Sequence, residues 1–419
     1  MSKKLVVIGL GYVGLPLVQA AVRAGFDVTG LDVSTRVVDG LASGRSHVDD
    51  LSDSEIAELL SAGFTATTDT SVLATADVAV ICVPTPLAED GGPDLSAVMS
   101  ATDMVAAHLH TGMLVVLEST TYPGTTDEEV RPVLEAGGLT AGKDFHLAFS
   151  PERIDPGNPV YGMKNTPKVV GGQTPGCTDA AAAFYGAFVD TVVRAKGTRE
   201  AEAAKILENT FRHVNIALVN EMVKFCHELD IDLWDVIDAA KTKPFGFMPF
   251  YPGPGVGGHC IPIDPNYLSY KVRAALGYPF RFVELAQEIN NTMPAYVASR
   301  AADLLNDFGK AVRGANILLL GVTYKPDIAD QRESPSRPVA EHLISKGAQV
   351  TYHDPHVPTW HLSSGDLSCV ADLNSAAANA DLIIILQAHK AYDLKSLTST
   401  GTAILDTRGS LRQPGVHHL

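Results

Sequence analysis

Residues 4–32 read KLVVIGLGYVGLPLVQAAVRAGFDVTGLD, and this stretch decides the fold. The unbroken apolar run 5–8 has the pattern of a strand buried on both faces. Gly9, Gly11 and Gly14 follow at once in the spacing GxGxxG and lead into a helix-like segment. A second strand-like run then ends on Asp32. In such a strand–turn–helix the first glycine permits the turn and the second lets backbone approach a pyrophosphate. The third allows close packing of helix on strand. The helix N-terminus, with Tyr12 and Val13 in its turn, offers unsatisfied N–H groups to phosphate. A carboxylate at Asp32 hydrogen-bonds a ribose 2′-hydroxyl and repels a 2′-phosphate, which favours NAD over NADP. Arg36 offers a cation on the adenosine side and works against that preference. The competing reading is that the glycines serve packing alone.

Outward from this unit, short apolar runs alternate with helix-like segments to about residue 195: DVAVICVP, MLVVLES, HLAFS and TVVRAKG. Continuous runs of this kind predict a parallel sheet covered by helices on both faces. From Arg199 the texture changes. Residues 199–230 carry apolar side chains at three- and four-residue spacing with no Pro or Gly, which predicts one long helix. A second helix is expected over about 281–308, after a Gly/Pro-rich loop at 252–258. From about Asn316 the alternating texture returns in NILLLGV, QVTYHD, LIIILQ and AILDT. The two α/β segments echo each other, with LDV at 31–33 facing YHD at 352–354. The fold class is therefore α/β, two Rossmann-like domains joined by a long central helix and a helical middle. The second copy has GVTYKPD where the first has GLGYVGLP, so it must hold its ligand by another scheme.

The chain has 419 residues, enough for two or three domains. Its 48 acidic against 32 basic residues leave a formal charge of −16, which argues against nucleic acid or an anionic membrane as main partner. The five cysteines, 82, 177, 226, 260 and 369, are odd in number and never form CxxC, which suits a reducing cytoplasm rather than a disulfide framework or zinc site. The N-terminal apolar run is broken by glycines within a few residues, so no signal peptide is expected. The apolar runs are far shorter than the roughly 20 residues that span a bilayer.

Several residue groups carry chemistry. Cys260 lies in GPGVGGHCIPIDP, a loop that folds backbone closely over a ligand while presenting one thiol; a lone cysteine is otherwise an inert small hydrophobe. Asp264 stands four residues later in a Pro-x-Asp-Pro turn, where it also serves as an ordinary turn carboxylate. Lys205, Asn209 and Arg212 share one face of the long helix. Spacing alone favours a solvated face there, with Glu202 and Glu208 as ion-pair partners; the alternative is a lysine and an amide donating to an oxyanion. Thr120 and Glu152 fall at predicted strand ends, where open α/β sheets bind ligands, against the reading of cap and turn formers. His353, His356 and His361 match no structural zinc spacing, and no metal is expected.

Read together, GLGYVGLP, VPTP at 83–86, ESTTYPGTT, SPER, EAAKILENTFRHVNIALVNE, GPGVGGHCIPIDP and GVTYKPDIADQRESPS resemble, in order, the nucleotide-sugar 6-dehydrogenases of the UDP-glucose/GDP-mannose dehydrogenase family. The resemblance covers essentially the whole chain. KPFGFMPFYPGPGVGGHCIPIDP looks most like the branch acting on UDP-N-acetylhexosamines. His259 and Ile263 depart from the UDP-glucose branch. The resemblance implies two successive NAD-dependent oxidations of a sugar C6 alcohol, through a thiohemiacetal and a thioester on Cys260, ending in a uronic acid. It implies that Lys205 and Asn209 stabilise the oxyanion, that Asp264 assists proton transfer or orders water, and that Thr120 and Glu152 hold or activate water. It places cofactor at Gly9, Gly11, Tyr12, Val13, Gly14, Asp32, Arg36, Pro84, Thr85, Thr120 and Arg332. It places the sugar nucleotide at Glu152, Lys205, Asn209, Tyr251, Gly257 and Lys325. Lys241 and Lys243 stand near where relatives place a sugar-contacting arginine, and Arg281 is a further candidate. The expected division is 1–197 for NAD, 198–310 as the central helical part and 311–419 for the nucleotide sugar, with a homodimer through the central helices. A non-catalytic sensor and a two-electron alcohol dehydrogenase remain as alternatives.

Overall fold

The computed structural model describes residues 3–48, 51–88, 92–153, 160–258 and 261–419. The chain forms two compact units, Met1–Glu208 with Asn266–Gly277, and Asn209–Pro265 with Tyr278–Leu419. In the first unit, β1 (Lys4–Ile8), β2 (Asp27–Leu31), β3 (Thr65–Thr67), β4 (Val78–Ile81), β5 (Leu114–Leu117), β6 (His146–Phe149), β7 (Lys168–Gly172) and β8 (Val192–Arg194) make one sheet. Among the described residues the order is β3-β2-β1-β4-β5-β6-β7-β8, and its first six strands have the doubly wound dinucleotide-binding order. The apolar runs are continuous because alternate side chains enter different cores. Leu5 and Val7 pack with Leu15, Val18 and Ala21 of the helix Gly14–Arg23, while Val6 and Ile8 pack with Val98, Ala101 and Val105 of the helix Ser96–Ala106.

One strand corrects the all-parallel expectation. β7, KVVGG, pairs antiparallel to β6. Its two glycines hide it from a strand pattern, but both are required by packing. A Cβ on Gly171 would stand 2.0 Å from the Gly197 carbonyl oxygen, and one on Gly172 would stand 2.3 Å from the Thr178 amide nitrogen.

In the second unit β9 (Asn316–Leu320), β10 (Gln349–His353), β13 (Leu382–Ile385), β14 (Ala403–Asp406) and β15 (Val416–His418) form a parallel sheet. A hairpin of β11 (Thr359–Leu362) and β12 (Gly365–Ser368) stands apart from it. The sheet order β10-β9-β13-β14-β15 is the other common doubly wound order, 2-1-3-4-5 in its own count.

The internal echo holds at the level of single hydrogen bonds. Gly9 at φ 92° donates its N–H to Leu31 O, and Gly321 at φ 74° donates to His353 O. Asp32 then accepts from the N–H groups of Leu10 and Ser34, each at 2.9 Å. Asp354 accepts in the same way from Val322 at 2.7 Å and His356 at 2.8 Å.

The helix Thr198–Glu228, 31 residues long, passes from the first unit to the second at residues 208–209. In the second unit it packs with the helix Arg281–Asp307 through Val219, Val223, Met293 and Val297. A polar network crosses that core. Asn220 donates to Asn290 at 2.9 Å and accepts from the Gly253 N–H at 3.0 Å, while the Asn290 amide lies 3.4 Å from His213 Nδ1. Burial lowers His213 to a pKa of about 4, so the folded protein excludes a proton that the unfolded chain binds. The stability this contributes is complete above the ordinary value near 6.5 and is lost as pH falls from there toward 4. It is worth on the order of 3 kcal/mol. The thermal midpoint of the wild type should therefore drop several degrees more between pH 7 and pH 5 than that of His213→Gln, as followed by circular dichroism. Parallel pH dependences would remove His213 as the cause.

Candidate active site

The first unit carries a nucleotide cradle at the point where strand order reverses, between β1 and β4. A Cβ on Gly9 would stand 2.7 Å from the Cys82 carbonyl oxygen, and one on Gly14 would stand 1.9 Å from the Gly9 carbonyl oxygen. Both glycines are demanded by the protein's own packing. Gly11 is different, because a Cβ there meets nothing within 4 Å. The turn leaves open the one position where the fingerprint needs backbone to approach a pyrophosphate, so the residues fit NAD. Val13 precedes the helix without a side-chain cap, Tyr12 is exposed, and Arg36 is exposed in the first turn of the helix Thr35–Ala42. The facing wall is built from the ends of β4 and β5. Thr85 donates to Thr120 O at 2.7 Å, Ser119 donates to Val83 O at 2.6 Å, and Tyr267 donates to Thr85 O. Pro84 lies within this wall. Among the described residues the Thr121 hydroxyl is buried without a hydrogen-bond partner, whereas Thr120 contributes its carbonyl. Sequence reading took Thr120 of the pair; the orphan hydroxyl is a signal that only the structure carries.

At the end of β6, Lys205 donates its ammonium to the main-chain oxygen of Glu152. These two sequence candidates are therefore brought together. The solvated-face expectation for this helix is corrected. Glu202 is fully buried and accepts from the Gly124 N–H at 2.5 Å, the Thr126 N–H at 2.9 Å and the Thr126 hydroxyl at 2.7 Å, and Glu208 pairs with Arg153 at 2.7 Å. Neither acid pairs with Lys205 or Arg212 among the described residues.

Sequence reading also missed a buried charged cluster beside Glu152. Lys168 forms an ion pair with Glu118 and lies 3.6 Å from Glu152, and Tyr185 donates to Glu118 at 2.6 Å. Burial pushes the Glu118 carboxyl above the usual carboxylate range, with Lys168 opposing. For Lys168 burial acts to lower the pKa, but the two carboxylates outweigh it and the net direction is upward. Burial also pushes the nearby Cys82 thiol up, so that sulfur is inert.

In the second unit Asn209 donates to Asp264 at 2.6 Å, and both side chains are buried. Asp264 opens a helix, Asp264–Leu276, that its Pro-rich surroundings concealed. Cys260 and His259 lie outside the described residues. The preceding loop is sewn to the turn after β9, since a Cβ on Gly257 would stand 2.6 Å from Tyr324 Cβ and 2.9 Å from the Glu333 carbonyl oxygen. That turn carries Lys325 and Arg332. Arg332 is held by Asp330, its Nη2 2.6 Å from the carboxylate. A cavity of about 660 Å³ opens beside it, walled by Val256, Asn290, Arg332, Glu333, Arg337 and Trp360. Tyr251 and Lys241 belong to a surface cluster around Asp238, with Lys241 at 2.6 Å from that carboxylate. Lys243 lies over the Phe245 ring. Arg281 is an exposed helix start.

Of the three histidines considered for metal, His361 pairs with Asp366 at 2.7 Å. His356 has ligand-capable neighbours in Asp327 and His389. His389, however, accepts the Asp327 N–H at Nδ1 (2.9 Å) and faces Asp354 with Nε2 (3.0 Å), so both ring nitrogens are engaged. No described helix is long and apolar enough to cross a membrane.

Comparison with known proteins agrees with this geometry. The NAD binding domain of the UDP-glucose/GDP-mannose dehydrogenase family matches residues 3–189, its central domain residues 199–292, and its UDP binding domain residues 318–413. The UDP-N-acetyl-D-mannosamine dehydrogenase of Methanococcus maripaludis is 34% identical over 93% of this chain and 87% of its own. The UDP-N-acetyl-D-glucosamine 6-dehydrogenase of Pseudomonas aeruginosa is 36% identical over 84% of this chain and 83% of its own. The solved UDP-D-ManNAc dehydrogenase of Pyrococcus horikoshii superimposes with a TM-score of 0.89 at 32% identity, covering 99% of this chain and 98% of the other.

Proposed function

Because the chain belongs to the UDP-glucose/GDP-mannose dehydrogenase family, we propose that it oxidises the C6 alcohol of a UDP-N-acetylhexosamine to the carboxylate in two NAD-dependent steps. It is an NAD-dependent oxidoreductase acting on a CH–OH group of a nucleotide sugar. The observation that carries the enzyme reading over a sensor is the buried Asn209–Asp264 pair, whose carboxylate stands four residues from Cys260 in sequence. A protein that only reports ligand has no use for a nucleophile.

NAD would supply the hydride acceptor when bound, a fresh molecule for each of the two oxidations. The chain supplies the rest. The C6 hydroxyl gives its proton to a base as hydride leaves, and Lys205 and Asn209 donate to the oxygen where negative charge gathers. The Cys260 thiolate adds to the aldehyde carbon, a second hydride leaves, and the resulting thioester is hydrolysed by water held by Thr120, with Thr121 beside it, and activated by Glu152. Asp264 assists proton transfer. Gly9, Gly11, Tyr12, Val13, Gly14, Asp32, Arg36, Pro84 and Thr85 hold cofactor, with Arg332. Tyr251, Gly257 and Lys325 hold sugar nucleotide, together with Glu152, Lys205 and Asn209.

The division 1–197, 198–310 and 311–419 belongs to this proposal and is supported by the spans the three family domains match. So does a homodimer through the central helices. Phe211, Leu218 and Phe225 recur every seven residues along the long helix and are 45–53% exposed, a stripe that a second copy would cover. Cys82, Cys177, Cys226 and Cys369 are free thiols, which supports a cytoplasmic setting.

The test is a panel of UDP-N-acetylmannosamine, UDP-N-acetylglucosamine, UDP-N-acetylgalactosamine, UDP-glucose, dTDP-glucose and GDP-mannose, read by NADH absorbance. An N-acetylhexosamine is expected to give the highest kcat/KM, with two NADH per sugar consumed. One NADH per sugar would establish a two-electron alcohol dehydrogenase instead.

A further inference from the structure

A buried carboxylate, Glu118, and a partly buried one, Glu152, share one buried ammonium, Lys168, and the established chemistry of a dinucleotide fold has no need of such a cluster. Glu118 follows the last residue of β5, Glu152 lies just beyond β6, and Lys168 heads β7. Because β7 runs antiparallel to β6, its first residue lies beyond the carboxyl end of β6. All three are therefore delivered to the carboxyl edge of the sheet, where ligands bind. Their side chains are 0%, 12% and 5% exposed for Glu118, Glu152 and Lys168. Burying an ion pair is weak as a source of stability, since desolvation offsets most of the attraction. Its placement needs another reason.

We propose that Lys168 and Glu118 are positioning residues for Glu152, holding its carboxylate ionised and correctly aimed for hydrolysis of the acyl–enzyme. The inference rests on the reading of Glu152 as the water-activating base. Among the described residues the titratable groups facing Lys168 are Glu118 in ion-pair contact, Glu152 at 3.6 Å, the Tyr185 ring at 5.2 Å and the buried Cys82 thiol; Tyr185 also fixes Glu118 through its hydroxyl, and Lys205 holds the Glu152 main chain. Glu118 thus binds Tyr185 with one carboxylate oxygen and Lys168 with the other, and the same ammonium reaches Glu152. An adjacent cation favours the ionised form of Glu152, and that form accepts a proton. In the hydrolytic step water adds its oxygen to the acyl carbon and one water proton passes to Glu152. The C–S bond breaks, its electron pair returns to the Cys260 thiolate, and the acid formed releases its remaining proton to solvent.

The test follows Lys168→Met, Lys168→Arg and Glu152→Gln in the full chain with UDP-N-acetylmannosamine and NAD. Intact mass spectrometry reads the fraction of enzyme carrying the acyl group, and stopped flow reads the NADH burst. Lys168→Met is expected to leave the burst near its wild-type rate and to slow the steady state roughly 10- to 100-fold. Acyl–enzyme should accumulate, and the acid limb of the steady-state pH profile should move to higher pH. Lys168→Arg should restore most of the rate. If Lys168→Met does not fold, the charge-balanced double variant Lys168→Met/Glu118→Gln gives the same readout. Wild-type steady state and pH profile in the folded variant overturn the proposal. So does an equal loss of burst and steady state, which would mark Lys168 as merely structural. Glu152→Gln separates the two readings: if it accumulates no acyl–enzyme, the role of Glu152 itself fails, whatever Lys168 does.

Discussion

Cys260→Ser is expected to lower steady-state NADH formation from a UDP-N-acetylhexosamine by at least ~1000-fold, leaving at most about one NADH per active site. A thiol with an ordinary pKa near 8.5 is a few per cent thiolate at neutral pH, while a serine hydroxyl has essentially no ionised fraction. The first oxidation needs no nucleophile; the second does, because an aldehyde has no hydride-donating alcohol carbon until something adds to it. Serine therefore stops the reaction after one hydride. The other four sulfurs cannot substitute. Cys82, Cys177 and Cys226 are buried, and Cys369 lies 3.4 Å from the Asp354 N–H in the second unit. The measurement is NADH formed per enzyme in a burst and in the steady state. Undiminished two-NADH turnover by the serine variant would end the covalent mechanism.

A pair of glycine substitutions is expected to give opposite phenotypes from neighbouring positions. Gly11→Val should leave the fold intact, since its Cβ meets nothing within 4 Å and its φ is not positive. It fills the space the pyrophosphate takes, so the KM for NAD should rise at least about tenfold, equivalent to roughly 1.4 kcal/mol of binding. Gly14→Ala places a Cβ 1.9 Å from the Gly9 carbonyl oxygen. The helix Gly14–Arg23 must then move off β1, at a cost of roughly 3 kcal/mol or more. Its thermal midpoint should fall by several degrees and its NAD site should be lost with the packing. Calorimetry and NAD titration on both proteins check this. A destabilised Gly11→Val or a fully stable Gly14→Ala would contradict the division of labour between the two glycines.

The charge of the chain sharpens what these sites must do. Two anionic ligands are to be held by a protein with a formal charge of −16. The turn at Gly11 meets phosphate with backbone dipoles, which carry no net charge to be neutralised by the surrounding acids. Arg332, by contrast, is already held by Asp330.

The sequence by itself determined the architecture, because its signals are local. Apolar runs of four residues, a GxGxxG turn and a 31-residue stretch without breakers each act on their own backbone, and each appears where the pattern placed it. The echo between the two halves was legible for the same reason, down to Asp32 and Asp354 ending equivalent strands. Tertiary structure alone decided what depends on partners distant in the chain. β7 was missed because its glycines answer to Gly197 and Thr178 rather than to strand propensity. Glu202, which looked like a solvated helix acid, is buried because Gly124 and Thr126, nearly eighty residues away, supply three donors. Asn209 finds Asp264 across 55 residues, and Lys168 finds Glu118 across 50. Such pairings leave no periodicity behind. A side chain's identity names the chemistry it can do, but its burial and its partner decide whether that chemistry is spent on holding the fold or kept for a ligand.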